Sequence, residues 1–112
     1  MNARLETWAW LAQRASAAVL AFCVAVHLAT MIAAVRGGLS AADILGRTHG
    51  SVAWASFYGV FVFAVAIHAP LGVRTIAGEW LGWRGRAADA AFALFGVALL
   101  ALGGYAVVAV TR

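Results

Sequence analysis

The residues in this sequence best suited to chemistry are a histidine and an arginine near the end of a long apolar segment. His68 lies inside that segment, Gly72 follows one helical turn later, and Arg74 marks its polar end. An ionisable side chain at membrane depth is energetically unfavourable, so a functional role is its default interpretation. Imidazole binds metal ions and haem iron, and a glycine one turn away lets a flat macrocycle approach the backbone. The arginine could meet the acidic groups of such a macrocycle, an anionic lipid or a quinone oxygen.

Three long apolar segments predict an all-α membrane protein with three transmembrane helices. They run from about 15 to 35, 52 to 73 and 87 to 110, and each is long enough to cross a bilayer. Of the 112 residues, 65% are hydrophobic and 11% charged, which is too apolar for a soluble domain. With no repeat and no linker, we expect one domain over 1–112. Trp8, Trp10 and Arg4 favour a short interfacial helix before the first span.

A second histidine, His27, lies within the first segment on one helical face with Ser16 and Cys23. At about 1.5 Å per residue, the depths of His27 and His68 in the bilayer differ by roughly 11 Å. The two axial ligands of one haem iron lie at nearly equal depth, so these histidines would not serve the same haem. Each would need a partner histidine from another chain. The chain is therefore expected to be part of a larger helical bundle, either a hetero-oligomer or a homodimer.

Each of these residues also has a purely structural interpretation. His68 could be a hydrogen-bonded packing residue, and His27 a packing residue or a proton carrier. Arg14 and Arg74 could be ordinary interface anchors. His49, in the loop after the first segment, is interpreted as a solvated residue, with a ligand or proton-path role as the alternative.

The charges favour a membrane rather than nucleic acid as the partner. Eight arginines and four acids give a net charge of +4, and the arginines lie at the ends of the apolar segments. Five arginines share a side with the N-terminus and three lie on the other side, so the positive-inside rule places the N-terminus in the cytoplasm. The five are Arg4, Arg14, Arg74, Arg84 and Arg86. The single cysteine, Cys23, excludes a disulfide within the chain.

Local features predict how the segments begin, bend and pack. Ser40 can cap a short helix over 41–45, Asp89 suits the start of the third helix, and Pro70 favours a bend near His68. Small residues on the first and third segments predict close packing against neighbouring helices, including helices of partner chains. They are Ala17, Ala21, Ala25, Ala29 and Ala33 in the first segment, and Gly96, Gly103 and Gly104 in the third.

Two stretches resemble the motifs of a known family. His68-x-x-x-Gly72-Val73-Arg74-Thr75-Ile76-x-x-Glu79 is similar to the signature of the cytochrome b membrane-anchor subunit of succinate dehydrogenase and fumarate reductase. That signature is His-x-x-x-Gly-[aliphatic]-Arg-[His/Phe]-[aliphatic]-x-[aromatic]-Asp. Gln13-Arg14-Ala15-Ser16-Ala17-Ala18-Val19-Leu20 resembles the family's His-Arg-x-Ser-Gly-x-x-Leu. The departures from the family's residues are Trp10, Ala17, Thr75, Gly78 and Glu79.

The resemblance implies a multi-pass subunit of the bacterial inner membrane that is not catalytic alone. It would hold a flavoprotein subunit and an iron–sulfur subunit on the membrane, together with a second membrane-anchor subunit. It also implies haem b, with His68 as an iron ligand and Gly72 and Arg74 beside the macrocycle. Arg14 and Ser16 match the motif positions near a bound ubiquinone or menaquinone.

Members of the family with two haems also use a first-helix histidine. The depth difference favours two haems over one, with His27 holding the second iron. The alternatives are a small proton-coupled transporter and a cofactor-free structural or assembly subunit. None of the four acids falls in the middle of a span, as such a transporter would be expected to need. The sequence has no nucleotide or flavin motif and no cysteine cluster, so the redox chemistry would belong to bound cofactors.

Overall fold

The computed structural model describes residues 2–112 as four helices. They are α1 (Ala3–Gly37), α2 (Ala41–Thr48), α3 (Val52–Trp80) and α4 (Arg86–Thr111). The three long helices are apolar enough and long enough to cross a membrane. No strand occurs among the described residues. The predicted all-α membrane fold with three candidate spans is therefore confirmed.

The N-terminal stretch corrects one detail of the prediction. Instead of a separate interfacial helix, residues 3–14 form the first turns of α1. Asn2 begins this helix by accepting a hydrogen bond from the backbone N–H of Leu5 at 2.9 Å. Residues 3–36 contain no proline or glycine, so nothing in the sequence interrupts the helix. These first turns add about 18 Å to the length of α1.

Helix α2 is held by hydrogen bonds at both of its ends. The Ser40 hydroxyl accepts the Asp43 backbone N–H at 3.0 Å, which confirms the predicted cap. At the other end, the Thr48 hydroxyl donates to the Val110 carbonyl oxygen at 2.7 Å. The Gly50 N–H donates to the Thr111 carbonyl oxygen at 2.8 Å. The loop before α3 is therefore fixed to the C-terminal end of α4.

Helix α3 lies between α1 and α4 and packs against both. It remains helical on both sides of Pro70, which is buried. A Cβ atom added to Gly96 of α4 would lie 3.1 Å from the Pro70 Cγ. The proline ring therefore packs where α4 has no side chain. Gly103, two turns further along α4, lies against Val62 of α3 in the same way.

The row of alanines at every fourth position of α1, which we call the alanine ridge, lies mostly away from the rest of the chain; it comprises Ala17, Ala21, Ala25, Ala29 and Ala33. The buried residues of α1 are Ser16, Cys23 and Ala34, on the face that carries His27. Most of the ridge is exposed, namely Ala21, Ala25, Ala29 and Ala33. Packing of this ridge against a helix of a partner chain stays a prediction.

Candidate functional site

His68 of α3 is oriented by the backbone and side chains of α1. Its Nδ1 lies 3.4 Å from the Ser16 Oγ and 3.4 Å from the Gln13 carbonyl oxygen. The Ser16 hydroxyl itself donates to that carbonyl at 3.0 Å. Both neighbours of Nδ1 can therefore accept a hydrogen bond from an N–H group at this position. A proton on Nδ1 leaves the lone pair of Nε2 free for a metal ion, which is the usual arrangement of metal-ligating histidines.

A cavity of about 800 Å³ lies beside this imidazole, between α1 and α3; we call it the His68 cavity. It brings together four of the residues that the sequence singled out: His68, Gly72, Arg74 and Arg14. Of the other two predicted site residues, Ser16 contacts His68 but does not line the cavity, and His27 lies elsewhere. The Arg14 guanidinium lies 5.2 Å from the centre of the Trp10 ring, so this tryptophan orients the arginine through a cation–π contact.

The Gln13 side chain lies over Gly72, although the sequence predicted no role for Gln13 beyond its place in a motif. A Cβ atom on Gly72 would lie 3.2 Å from the Gln13 Nε2, so the glycine makes room for this amide. The Oε1 of Gln13 is buried and has no hydrogen-bond partner within residues 2–112. The only sequence signal for this role is the position of Gln13 next to Arg14 in the motif.

Arg74 joins the three long helices at one end of the fold. Its Nε donates to the Asp89 carboxylate at 2.7 Å, in the first turn of α4. Its Nη2 donates to the Glu6 carboxylate at 2.9 Å, near the start of α1. The sequence placed Asp89 at the start of its helix but did not pair these residues. The predicted contact of Arg74 with a cofactor is a separate matter and stays a prediction.

Replacing Arg74 with glutamine is expected to lower the melting temperature of the detergent-solubilised chain by a few degrees at low ionic strength. The variant loses both ion pairs, but each is partly exposed, so each contributes modestly. Salt screens such pairs, and the difference from the unmodified chain should shrink in about 1 M salt. Thermal unfolding followed by circular dichroism at both salt concentrations checks this. A difference that is independent of salt would contradict the electrostatic explanation.

His27 lines a different cavity, of about 490 Å³, nearer to α2; we call it the His27 cavity. Its ring meets Tyr58 and Phe61 edge-on, with ring centres 5.9 and 5.6 Å away. Its Nδ1 is buried without a hydrogen-bond partner in the described part of the chain. The histidines of α1 and α3 therefore line different cavities, and of these two only His68 has an acceptor at Nδ1 among the described residues.

His49 is exposed at the end of α2, in agreement with a solvated loop residue. Residues 2–112 contain no group of three or more histidine, cysteine, aspartate or glutamate side chains that could hold a metal ion. Haem iron makes a smaller demand on one chain, because the porphyrin supplies four nitrogen ligands and the protein only the axial ones.

These features define an all-helical membrane protein with three candidate spans and a histidine cavity between two of them. The sequence matches the model of the succinate dehydrogenase/fumarate reductase transmembrane subunit over residues 1–110, and the chain belongs to this family. This confirms the family that the two motifs suggested. Comparison with curated proteins gave no match, and comparison with solved structures gave none either.

Proposed function

We propose that this chain is the haem b-binding membrane-anchor subunit of a succinate:quinone oxidoreductase. Membership of the transmembrane-subunit family supports the anchor role. The observation that carries the haem proposal is the position of the His68 Nδ1, 3.4 Å from two possible acceptors on α1. Such an acceptor fixes the ring orientation and makes the other nitrogen a better iron ligand.

The residues of the His68 cavity fit haem b in chemistry. His68 would ligate the haem iron from this chain, and a histidine of a partner membrane subunit would supply the other protein ligand. Arg14 and Arg74 are cations that could receive the propionates, although Arg74 already pairs with Glu6 and Asp89. The Gln13 amide would have to turn away for a macrocycle to lie on Gly72. Haem b, when bound, supplies a one-electron redox centre.

The quinone proposal concerns the same end of the fold. Arg14 lines the His68 cavity and is exposed, so its guanidinium could donate to a quinone carbonyl. Ser16 is almost fully buried and already contacts His68, so in this proposal it acts on the quinone site through the histidine. The quinone would be ubiquinone or menaquinone. The distribution of arginines supports a cytoplasmic location for this end, where iron–sulfur and flavoprotein subunits would dock on a bacterial inner membrane.

The experiment that tests the proposal is a reduced-minus-oxidised absorption spectrum of the chain purified with its co-purifying subunits. We expect the α-band of a low-spin b-type haem. We also expect the amount of haem to be stoichiometric with the amount of this chain. A colourless complex with all of its subunits would overturn the haem proposal and favour the cofactor-free structural subunit, while leaving membership of the family intact.

A second haem at His27 stays a prediction. It rests on the resemblance and on the difference in depth, and the same spectra test it through a His27→Ala variant. Loss of one spectral component with the other unchanged would support two haems. An unchanged spectrum would support one.

A further inference from the structure

Arg47 of α2 is a cation that the proposed function does not use. Its guanidinium lies 5.6 Å from the centre of the Trp54 ring, and its Nε is buried without a hydrogen-bond partner in the described residues. The ion pairs among residues 2–112 do not include it. Asp43, one turn earlier on α2, instead accepts the hydroxyl hydrogen of Ser40 at 2.6 Å. Among the described residues this half-buried guanidinium forms no ion pair, although Asp43 lines one hollow together with it, so its charge can attract an anion.

Arg47 lies where two cavities of different character meet. On one side is the apolar His27 cavity of about 490 Å³, whose walls come from all four helices. On the other side is a smaller hollow of about 240 Å³, between the end of α1 and the start of α2. Both are lined by Arg47, Ala34 and Ile44. The hollow lies in the connection between two spans, and therefore near the membrane boundary.

The His27 cavity opens toward the surface that a bilayer would cover. Met31, Leu39 and Leu102 line it and are 41%, 57% and 70% exposed, respectively. Of its few polar side chains, Thr48 is already satisfied by the Ile44 and Val110 carbonyl oxygens. A hydrocarbon chain could therefore enter from the side and lie among apolar walls. The polar group attached to it would reach Arg47.

We propose that this pair of cavities binds an anionic phospholipid, with its phosphate on Arg47 and one acyl chain in the His27 cavity. A planar guanidinium suits a phosphate because it can donate two parallel hydrogen bonds. Charge favours an anionic headgroup over a zwitterionic one. This end of the fold carries three arginines, Arg36, Arg47 and Arg112, against the single acid Asp43.

The acyl chain would occupy the space that the predicted second haem at His27 would need, so the two exclude each other, and two observations favour the lipid. The His27 Nδ1 has no acceptor in the described residues, whereas iron-ligating histidines usually donate from their second nitrogen. The glycine in its wall, Gly103, is covered by Val62, so it offers no bare backbone to a flat macrocycle. An acyl chain needs neither feature.

The test measures tightly retained phospholipid in the full chain, purified in mild detergent with its co-purifying subunits and washed extensively. Lipid is extracted and quantified per chain by mass spectrometry. We expect an anionic phospholipid to be enriched over its share in the membrane extract. Arg47→Gln should reduce its retention by about fivefold. Arg36→Gln is the matched control, because Arg36 lies at the same end but lines neither cavity.

A second variant tests the acyl chain rather than the phosphate. Ala106 lines the His27 cavity from α4, and Ala106→Phe would fill it while leaving Arg47 in place. We expect this variant to lose the lipid as well. Should Arg47→Gln fail to fold by circular dichroism, Ala106→Phe and Arg47→Lys decide the matter. Arg47→Lys keeps the charge but loses the two parallel hydrogen bonds, so it should retain less lipid than the unmodified chain and more than a variant without the charge.

Adding lipid back to the delipidated protein separates headgroup chemistry from bulk solvation. Dioleoylphosphatidylglycerol should raise the melting temperature more than dioleoylphosphatidylcholine, and Arg47→Gln should abolish the difference. Equal retention in Arg47→Gln and the unmodified chain would overturn the proposal. So would equal stabilisation by the two lipids, or loss of a haem spectral component in His27→Ala. The result does not depend on the haem at His68, so the two proposals can fail separately.

Discussion

Replacing His68 with alanine is expected to abolish the b-type haem signal of the proposed His68 site, while the chain should stay helical and membrane-bound. The methyl group of alanine cannot ligate iron, and no other histidine lines the His68 cavity. The fold should survive, because His68 makes only two long hydrogen bonds, both at 3.4 Å. Difference spectra at constant chain concentration measure the loss, and circular dichroism checks the fold.

Two further variants separate ligation from orientation. His49→Ala is the matched control, since His49 is exposed outside the His68 cavity, and its spectrum should equal that of the unmodified protein. Ser16→Ala removes one acceptor near Nδ1 but leaves the Gln13 carbonyl oxygen. We expect it to retain haem with a midpoint potential shifted to a more positive value, because a less basic imidazole stabilises ferric iron less. A haem signal that persists in His68→Ala refutes the assignment of the ligand.

The features of this fold that depend on residues close together in the chain could be predicted from the sequence. Each span is recognisable as a run of apolar residues, because crossing a bilayer requires that composition over about 20 residues. The cap at Ser40 depends on atoms only three residues apart. The continuity of α1 was missed because Trp8 and Trp10 mark a membrane interface and say nothing about where a helix breaks.

The features that depend on packing could not be predicted. Glu6 and Arg74 are 68 positions apart, and no local rule connects them. The placement of Gln13 over Gly72 likewise depends on how α1 and α3 are rotated against each other. Nevertheless, four of the residues to which the motifs assign a haem or quinone role line one cavity, namely His68, Gly72, Arg74 and Arg14. A motif links positions that are distant along the chain, which local rules cannot do.

Gly103 and Gly104 illustrate the same limit and provide a matched pair for a stability experiment. The sequence treats them alike, but a Cβ atom on Gly103 would lie 2.5 Å from the Val62 Cγ1, whereas one on Gly104 would meet nothing within 4 Å. Lipid tails are as apolar as the side chains, so spans associate through close packing rather than through the hydrophobic effect. Gly103 therefore sets how closely α4 approaches α3.

Gly103→Leu is expected to destabilise the chain by about 1 to 3 kcal/mol, the usual range for overpacking, because the helices must separate or Val62 must move. Gly104→Leu should leave stability nearly unchanged. Thermal unfolding of both variants in the same detergent compares them directly.

A second experiment relieves the clash from the other helix, because Val62→Ala removes both methyl groups that a Cβ atom on residue 103 would meet. The double variant Val62→Ala with Gly103→Ala should be more stable than the sum of the single changes predicts. Two outcomes would contradict a role for the contact between Gly103 and Val62 in holding α3 and α4 together. One is that Gly103→Leu and Gly104→Leu unfold at the same temperature. The other is that the effects of Val62→Ala and Gly103→Ala are simply additive.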